Sequence, residues 1–503
     1  MKILSAEQIK AADAFTIQNE PVSSIDLMER AAMACIKPII KHSAIDSEFI
    51  VFCGKGNNGG DGLAISRLLI QRGYAVRTYI VNYSPNSSGD FNVNLERLKE
   101  VKADVITFID KEEDLQDIEI TAHTLIIDAL FGTGLNKPLE GLAAAVVKFI
   151  NATKVFVVSI DLPSGLFADK GNDQSNVIVN CSVALTFQFP KLSFLMPQNG
   201  NYVPDFEVLD IGLHLHFISI CPTSYYFITK NDLKPLLRTR SKFSHKGLFG
   251  HALLVAGAYG KMGASVIAAK SCLRSGAGLL TVQTPKKGID ILQSSVPEAM
   301  VNADNGEELI SELPVMDKFT AVGIGPGIGT DAVTETVVKK LLNYNLPMVF
   351  DADALNTLSN NKTWLSFLPA GTILTPHVKE FDRLTQKHTN DFERLESAKQ
   401  FSVKHNCIVV LKGAYTAIVM PDGNTFFNST GNPGLAKGGS GDTLTGIILG
   451  LLARGYNPPQ AALIGVYLHG SAADLCLKKI QMESLLATDV IARIPKAFEK
   501  LYA

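Results

Sequence analysis

Short apolar runs rich in β-branched residues alternate with longer amphipathic stretches along almost the whole chain. In the first half, residues 49–54 (FIVFCG), 76–81 (VRTYIV), 105–109 (VITFI), 124–132 (TLIIDALFG), 154–165 (KVFVVSIDLPSG) and 183–187 (VALTF) read as strands. Helical patterns lie between them, such as DGLAISRLLIQRG at 61–73. These strands are continuously apolar rather than alternating, which is the signature of a parallel sheet covered by helices on both faces. The rhythm breaks over 198–245, a stretch rich in Asn, Pro, Tyr, His and Lys, and a boundary is expected near 213–230. It restarts with strands at 251–258, 278–285, 319–327, 347–355, 371–377 and 407–419. The pattern predicts two α/β domains, residues 1–215 and 225–503.

A chain of 503 residues exceeds one ordinary core, and 46% hydrophobic with 19% charged residues excludes a disordered protein. A formal net charge of -2 leaves no basic excess for nucleic acid and no basic arm for an anionic membrane. The 7 cysteines are scattered without a CxxC pair, so buried free thiols and a cytoplasmic setting are expected. The opening MKILSAEQIKAADAF lacks the apolar core of a secretory signal. The most apolar helical run, LTGIILGLLARG at 444–455, is far shorter than a membrane span.

Chemistry concentrates where strands end. FCGKGNNGGDGLAISRLL (52–69) follows a strand and opens a helix, so its bare amides face whatever anion sits at the helix N-terminus. It matches neither GxGxxG nor a Walker loop, and glycine content alone fits a tight strand–helix turn as well. IIDALFGTGLNKPLEG (126–141) carries Asp128 at a strand end, and VVSIDLPSGL (157–166) carries Asp161 with Pro163, Ser164 and Gly165 behind it. Each aspartate taken singly also fits a helix cap or a turn. Jointly, three such ends place Asn, Asp and Ser oxygens where open parallel sheets bind ligands, enough for a hard cation and a polar ligand.

The motifs GNNGGDG, DALFGTGL and DLPSG, with LMERAA at 27–32, resemble the NAD(P)H-hydrate epimerase family over residues 1–215. The resemblance implies a Rossmann-like three-layer sandwich that interconverts the R and S epimers of hydrated NAD(P)H at carbon 6 of the nicotinamide ring. It places Asn57, Asn58, Gly59, Gly60, Asp61, the loop Gly132, Thr133, Gly134, Leu135, Asn136, Lys137, Pro138, and Asp161 against the hydrate. It assigns potassium to Asn58, Asp128 and Ser164, and catalytic assistance to Asp161.

In the second half, GNPGLAKGGSGDTLTGIILG (431–450) spends glycine after glycine and then one aspartate before an apolar helix. Bare amides and the helix dipole stabilise negative charge, and Asp442 at that positive end is placed to accept a proton from a hydroxyl. A plain N-cap is the alternative for Asp442. Gly446 and Gly450 share one helical face and permit close packing. LKGAYTAIV (411–419) sets Lys412 and Gly413 at a strand end, GIGPGIGTD (323–331) is another glycine-rich turn, and FDADALN (350–356) and LTPHVKEFDRL (374–384) each end a strand and start a helix.

These segments resemble the ribokinase-like superfamily over residues 225–503. His377, with DADALN, KGAYT and GNPGLAKGGSGD, is similar to the NAD(P)H-hydrate dehydratase branch rather than to vitamin kinases, which usually carry Asn in TPNxxE. Lys379 and Lys437 depart from that branch, Lys437 adding a positive charge near the phosphate. The resemblance implies hydrate contacts from Ala264, Gly327, His377 and Asp442, and nucleotide contacts from Lys412, Gly413, Ala414, Tyr415, Thr416 and Gly441. It further implies ADP as co-substrate, magnesium with help from Glu380, and Asp442 as the group that activates the hydroxyl. Together the halves imply a fused repair enzyme that restores NAD(P)H while ADP becomes AMP and phosphate, acting as a homo-oligomer without nucleic acid or membrane. The alternative is an ATP-dependent kinase of a hydroxymethylpyrimidine or hydroxyethylthiazole fused to a nucleotide-binding domain. A non-catalytic nucleotide sensor is a third.

Overall fold

The computed structural model describes every residue except Ile45 and Gln174, and the described residues form two compact units, Lys2–Thr223 and Ser224–Ala503, the latter taking in Met1. The first unit holds seven strands: β1 (Glu48–Cys53), β2 (Ala75–Val81), β3 (Ile106–Ile109), β4 (Thr124–Ala129), β5 (Phe156–Ile160), β6 (Val183–Phe187) and β7 (Phe206–Leu209). They lie in the order β3-β2-β1-β4-β5-β6-β7, and every pairing is parallel. The order reverses between β1 and β4, and open parallel sheets bind ligands in the crevice at such a switch point.

Both faces of this sheet are covered, which explains the unbroken apolar runs. Phe49, Val51 and Cys53 of β1 pack with Leu63 and Leu98 on one side. Ile50 and Phe52 pack with Val147 and Ile150 on the other. The result is a Rossmann-like three-layer sandwich.

The second unit is a ten-stranded sheet built from β8 (Tyr225–Ile228), β9 (His251–Val255), β10 (Leu279–Thr284), β11 (Met300–Ala303), β12 (Ala321–Ile324), β13 (Met348–Phe350), β14 (Ile373–Leu374), β15 (Ile408–Leu411), β16 (Ala417–Val419) and β17 (Thr425–Asn428). Its order is β11-β10-β9-β12-β13-β14-β15-β16-β17-β8, parallel except for the antiparallel β15-β16-β17 ribbon. The run 407–419, expected as one strand, is therefore a hairpin turning at 412–416. So short a connection joins only antiparallel strands, because a parallel crossover needs a dozen residues or more. Four strands escape the sequence pattern: β7, β8, β11 and β17. Three of them are short and only partly buried, so their apolar signal is weak.

Helices Met262–Arg274 and Ser440–Ala453 pack closely, and Gly446 and Gly450 of the latter are the reason. A Cβ on Gly446 would stand 2.2 Å from the Ala268 carbonyl oxygen, and one on Gly450 would stand 2.4 Å from that of Cys272. Backbone cannot swing aside as a side chain does. Gly446→Ala is expected to destabilise the second unit by about 1–3 kcal/mol, read from its urea midpoint. Gly263→Ala, at a helical glycine with nothing within 4 Å, is the control and should hold or gain stability. All seven cysteines are free and buried. Among the described residues no helix is long and apolar enough to cross a membrane.

Candidate functional site

The first unit's site begins where β1 gives way to helix Asn57–Ile70. Gly56 caps that helix without a side-chain hydrogen bond, so its first amides are free of side-chain partners. Gly59 has no room for a side chain, since a Cβ would lie 1.8 Å from the Gly54 carbonyl oxygen. Asn58, Gly59, Gly60 and Asp61 are buried in the first turns, while Asn57 is exposed. The Asn58 amide carries a buried nitrogen and a buried oxygen, neither with a hydrogen-bond partner. Gly132 adjoins it: a Cβ there would sit 3.5 Å from the Asn58 Cβ and Cγ. From Gly132 the loop runs outward, with Thr133 and Leu135 half-buried and Gly134, Asn136, Lys137 and Pro138 exposed.

Asp128, at the end of β4, is fully buried. Its Oδ2 accepts from Ser159 Oγ at 2.7 Å and from the Ser164 amide at 2.9 Å; its Oδ1 accepts from Ser164 Oγ at 2.5 Å. The Phe131 amide donates to Ser164 Oγ at 2.9 Å, joining the loop to this cluster. Burial pushes the Asp128 carboxyl above its ordinary range, against the pull of those hydrogen bonds. No ammonium or guanidinium among the described residues pairs with it.

Asp161 follows β5 with φ +63°, an unusual backbone state for a residue with a side chain. Its carboxylate meets Lys191, not the Asp128 cluster: Lys191 Nζ donates to Asp161 Oδ1 at 2.8 Å, and the Phe187 amide to the same oxygen at 3.2 Å. Lys191 escaped the sequence reading. Its only signal is a lysine inside the apolar segment 189–196.

In the second unit, helix Ser440–Ala453 starts at Gly439, which has φ +90° and offers no side-chain cap. Only glycine adopts that conformation without strain, and a Cβ would also press to 2.9 Å from Ile267. The Ser440 amide donates to the Lys437 carbonyl at 3.4 Å, and no side chain caps the amides beyond it. Asp442 stands half-buried in the first turn, its carboxyl pushed up to about 6 by burial first and then by the charges of Asp351 and Asp353, with Lys412 pulling it down.

Beneath lies a polar cluster. Asp351, just past β13, accepts from Lys412 Nζ at 2.9 Å and from Thr375 Oγ1 and Thr445 Oγ1, each at 2.8 Å. Burial opposes its charge, but the Lys412 ammonium and these hydrogen bonds outweigh it and hold the carboxyl below its ordinary range. Lys412 is held above its own ordinary range, Asp351 and Glu380 outweighing burial. A Cβ on Gly441 would lie 3.4 Å from Asp351 Oδ2 and 3.5 Å from Lys412 Nζ, so Gly441, Asp351 and Lys412 meet at one point.

His377 caps helix Val378–Leu384 in a reciprocal box: its Nδ1 accepts from the Glu380 amide at 3.2 Å, and its own amide donates to Glu380 Oε2 at 2.8 Å. Burial depresses the imidazole, leaving it neutral at physiological pH. Glu380 stands 3.8 Å from Lys412, so its oxygens serve His377 and Lys412. Gly327 and Ala264 adjoin, a Cβ on Gly327 falling 3.2 Å from that of Ala264. Gly413 and Thr416 close the β15–β16 turn on each other, with Gly413 and Ala414 exposed and Tyr415 half-buried. Lys437 donates to the Glu483 carbonyl, which ties down the charge expected near the phosphate. Asp351 and His469 were not singled out as site residues. His469 is buried, held down at about 4 by burial and then Lys412, with Nε2 3.4 Å from Ser440 Oγ.

A family model described as NAD(P)H-hydrate dehydratase matches residues 252–496, and one described as YjeF-related protein N-terminus matches 24–193. A bifunctional NAD(P)H-hydrate repair enzyme of Moorella thermoacetica is 34% identical, with 100% of this chain and 97% of that protein covered. The crystal structure of the ADP/ATP-dependent NAD(P)H-hydrate dehydratase from Bacillus subtilis, co-crystallised with ATP and Mg2+, is 33% identical, covers 55% of this chain and 98% of its own, and superposes with a TM-score of 0.50. A ribokinase-like superfamily protein from Enterococcus faecalis is 30% identical over 56% of this chain and 98% of its own, also with a TM-score of 0.50.

Proposed function

Because this chain belongs to the bifunctional NAD(P)H-hydrate repair enzymes, we propose that residues 1–215 epimerise hydrated NAD(P)H and residues 225–503 dehydrate its S form at the expense of ADP. The observation that carries the reading is the uncapped amide cradle at Gly439–Gly441, with Asp442 half-buried beside Asp351 and Lys412. Hydroxide is a poor leaving group and phosphate a good one. Asp442 takes the proton of the C6 hydroxyl; that oxygen attacks the β-phosphorus of ADP, the bridging P–O bond breaks, and AMP leaves. The amides stabilise the phosphoryl charge in transit. Phosphate then departs from C6 with electron push from N1, and loss of the C5 proton restores the ring. Ala264, Gly327 and His377 line the hydrate, and Lys412–Thr416 with Gly441 face the nucleotide. Magnesium would be held with help from Glu380 together with the nucleotide, and would supply positive charge against the phosphoryl group.

In the first unit Asn57–Asp61, Gly132–Pro138 and Asp161 surround the hydrate. Asp161 accepts the C6 hydroxyl proton as the C6–N1 bond breaks, its electron pair moving to N1, and hands the same proton to N1. Reclosure on the opposite face of the aldehyde reverses both transfers and yields the other epimer. A potassium ion fits the residues present: the Asn58 amide is buried without partners, and the buried Asp128 carboxylate lacks a cationic neighbour. Asn58, Asp128 and Ser164 would hold it, and it supplies a fixed positive charge that lets Asp128 stay ionised.

The test is to supply the S hydrate with ADP and Mg2+ and follow loss of hydrate absorbance, with AMP and phosphate formed in equal amounts. The R hydrate should turn over as well, and exchange of potassium for lithium should slow only that reaction. ATP-dependent phosphorylation of pyrimidine or thiazole alcohols without hydrate turnover would overturn the reading in favour of the vitamin kinase.

A further inference from the structure

The epimerase reading leaves one buried charge without a task. Lys191 is only 1% exposed in its side chain, and its ammonium reaches Asp161 Oδ1 at 2.8 Å. Its remaining contacts are the carbonyl oxygens of Phe187 and Phe189, each at 3.4 Å. A lysine ammonium is almost never taken fully out of water for packing alone, because its desolvation costs several kcal/mol. All three polar groups that reach the Asp161 carboxylate converge on Oδ1: Lys191, the Phe187 amide and, more loosely at 3.4 Å, Thr186 Oγ1. Oδ2 carries no hydrogen bond among the described residues. The backbone of Asp161 sits at φ +63°, so local chain preference does not hold the carboxylate in place.

We infer that Lys191 is a positioning residue of the epimerisation reaction: its ammonium pins Oδ1 of Asp161, so that Oδ2 alone is presented to the hydrate as the proton-relay atom. The inference rests on the epimerase reading and deepens it. Other carboxyls feel the same pair. Asp13, on helix Ala6–Asn19, is pushed up to about 6 by burial first and then by Asp161, with Lys191 pulling the other way. Asp61 is pushed well above its ordinary range by burial, Asp161 and Asp13. Around Asp161 the protein therefore gathers acids that resist ionising together, and Lys191 is the counter-charge set against them. Without it, the Asp161 carboxylate would lose its ammonium partner on Oδ1 and with it its fixed orientation.

A double-mutant cycle distinguishes positioning from packing. Lys191→Met removes the charge and keeps the stem; Asp161→Asn removes the relay; the double variant removes both, so neither half of the pair is left buried without the other. R-to-S interconversion is followed by NMR, with dehydration of pure S hydrate as the internal control. If Lys191 acts through Asp161, Lys191→Met lowers epimerase kcat on the order of 10²-fold with KM little changed, and adding it to Asp161→Asn costs less than about 3-fold more. Losses that multiply in the double variant, or a loss that falls on KM alone, would overturn the inference. A wild-type protein unable to interconvert the epimers would instead overturn the reading beneath it, so the two failures are distinguishable.

Discussion

Asp442→Asn is expected to lower dehydration on the order of 10³-fold while leaving ADP binding and epimerisation in place. The amide retains the shape and hydrogen-bonding reach of the carboxylate but accepts no proton from the C6 hydroxyl. Its binding partners are untouched, since the amides at Gly439–Gly441 and the Lys412–Thr416 turn do not depend on Asp442. The wild-type pH profile carries the same signature. The carboxyl is pushed up to about 6, chiefly by burial, and only its ionised form is a base. Dehydratase kcat/KM should therefore fall tenfold per pH unit below about 6, and that limb should vanish in the variant. Stability moves the opposite way. A carboxyl whose folded-state pKa lies above its unfolded value favours folding fully below the ordinary carboxylate range and loses that contribution as pH rises through about 6. At neutral pH the ionised Asp442 is thus a burden, and Asp442→Asn should raise second-unit stability by about 1–2 kcal/mol, discounted for its partial exposure. A dead variant that melts higher than wild type at pH 7.5 would separate lost chemistry from lost fold. A fully active variant removes Asp442 from the mechanism.

How much of this was legible in the chain depends on the range of the cause. Long apolar strands such as β1 and β4 could be read because each residue is buried by covering helices on one face or the other, and burial writes itself into local composition. β7 and β8 could not, because half-exposed strands of four residues leave no such record. The glycines of GNNGGDG and GGSGD were readable for a local reason: Gly59 abuts Gly54 five residues away, and Gly439 must adopt φ +90° at the start of its own helix. What stayed hidden was pairing at a distance. Lys191 meets Asp161 across 30 residues, and Lys412 meets Asp351 across 61, and nothing in either segment announces its partner. Motifs thus marked where the backbone is closely packed or leaves a helix start uncapped, and the charges beside those places appeared only when the fold brought them together. Lys412 shows the limit most clearly. A strand-end lysine suggested a free phosphate contact, whereas its ammonium is already engaged by Asp351 and faces Glu380.

That engagement sets the other large expected effect, on stability rather than on chemistry. Asp351→Leu should destabilise the second unit by about 2–4 kcal/mol, because it leaves the half-buried Lys412 ammonium without its main partner. Thr445 Oγ1 would lose its acceptor as well, while Thr375 Oγ1 would keep the Phe350 carbonyl at 3.1 Å. Glu380, at 3.8 Å, is too distant and too committed to His377 to replace it. The pair works across the neutral window: the Asp351 share is present above the ordinary aspartate range and lost in acid, while the Lys412 share is present below the ordinary lysine range and lost in alkali. Urea midpoints of the second unit at pH 7 measure the loss, and a cost under about 1 kcal/mol would show that Lys412 finds water or another partner. Adding Lys412→Met to Asp351→Leu removes the stranded charge and should restore most of the stability. It should not restore turnover, because the ammonium that meets Gly441 at the phosphate cradle is gone. An ion pair with one fully buried partner is better explained by the position it imposes on a charge than by any gain over an apolar pair of similar size. Recovery of stability without recovery of dehydration would place Asp351 and Lys412 in the machinery that receives the nucleotide.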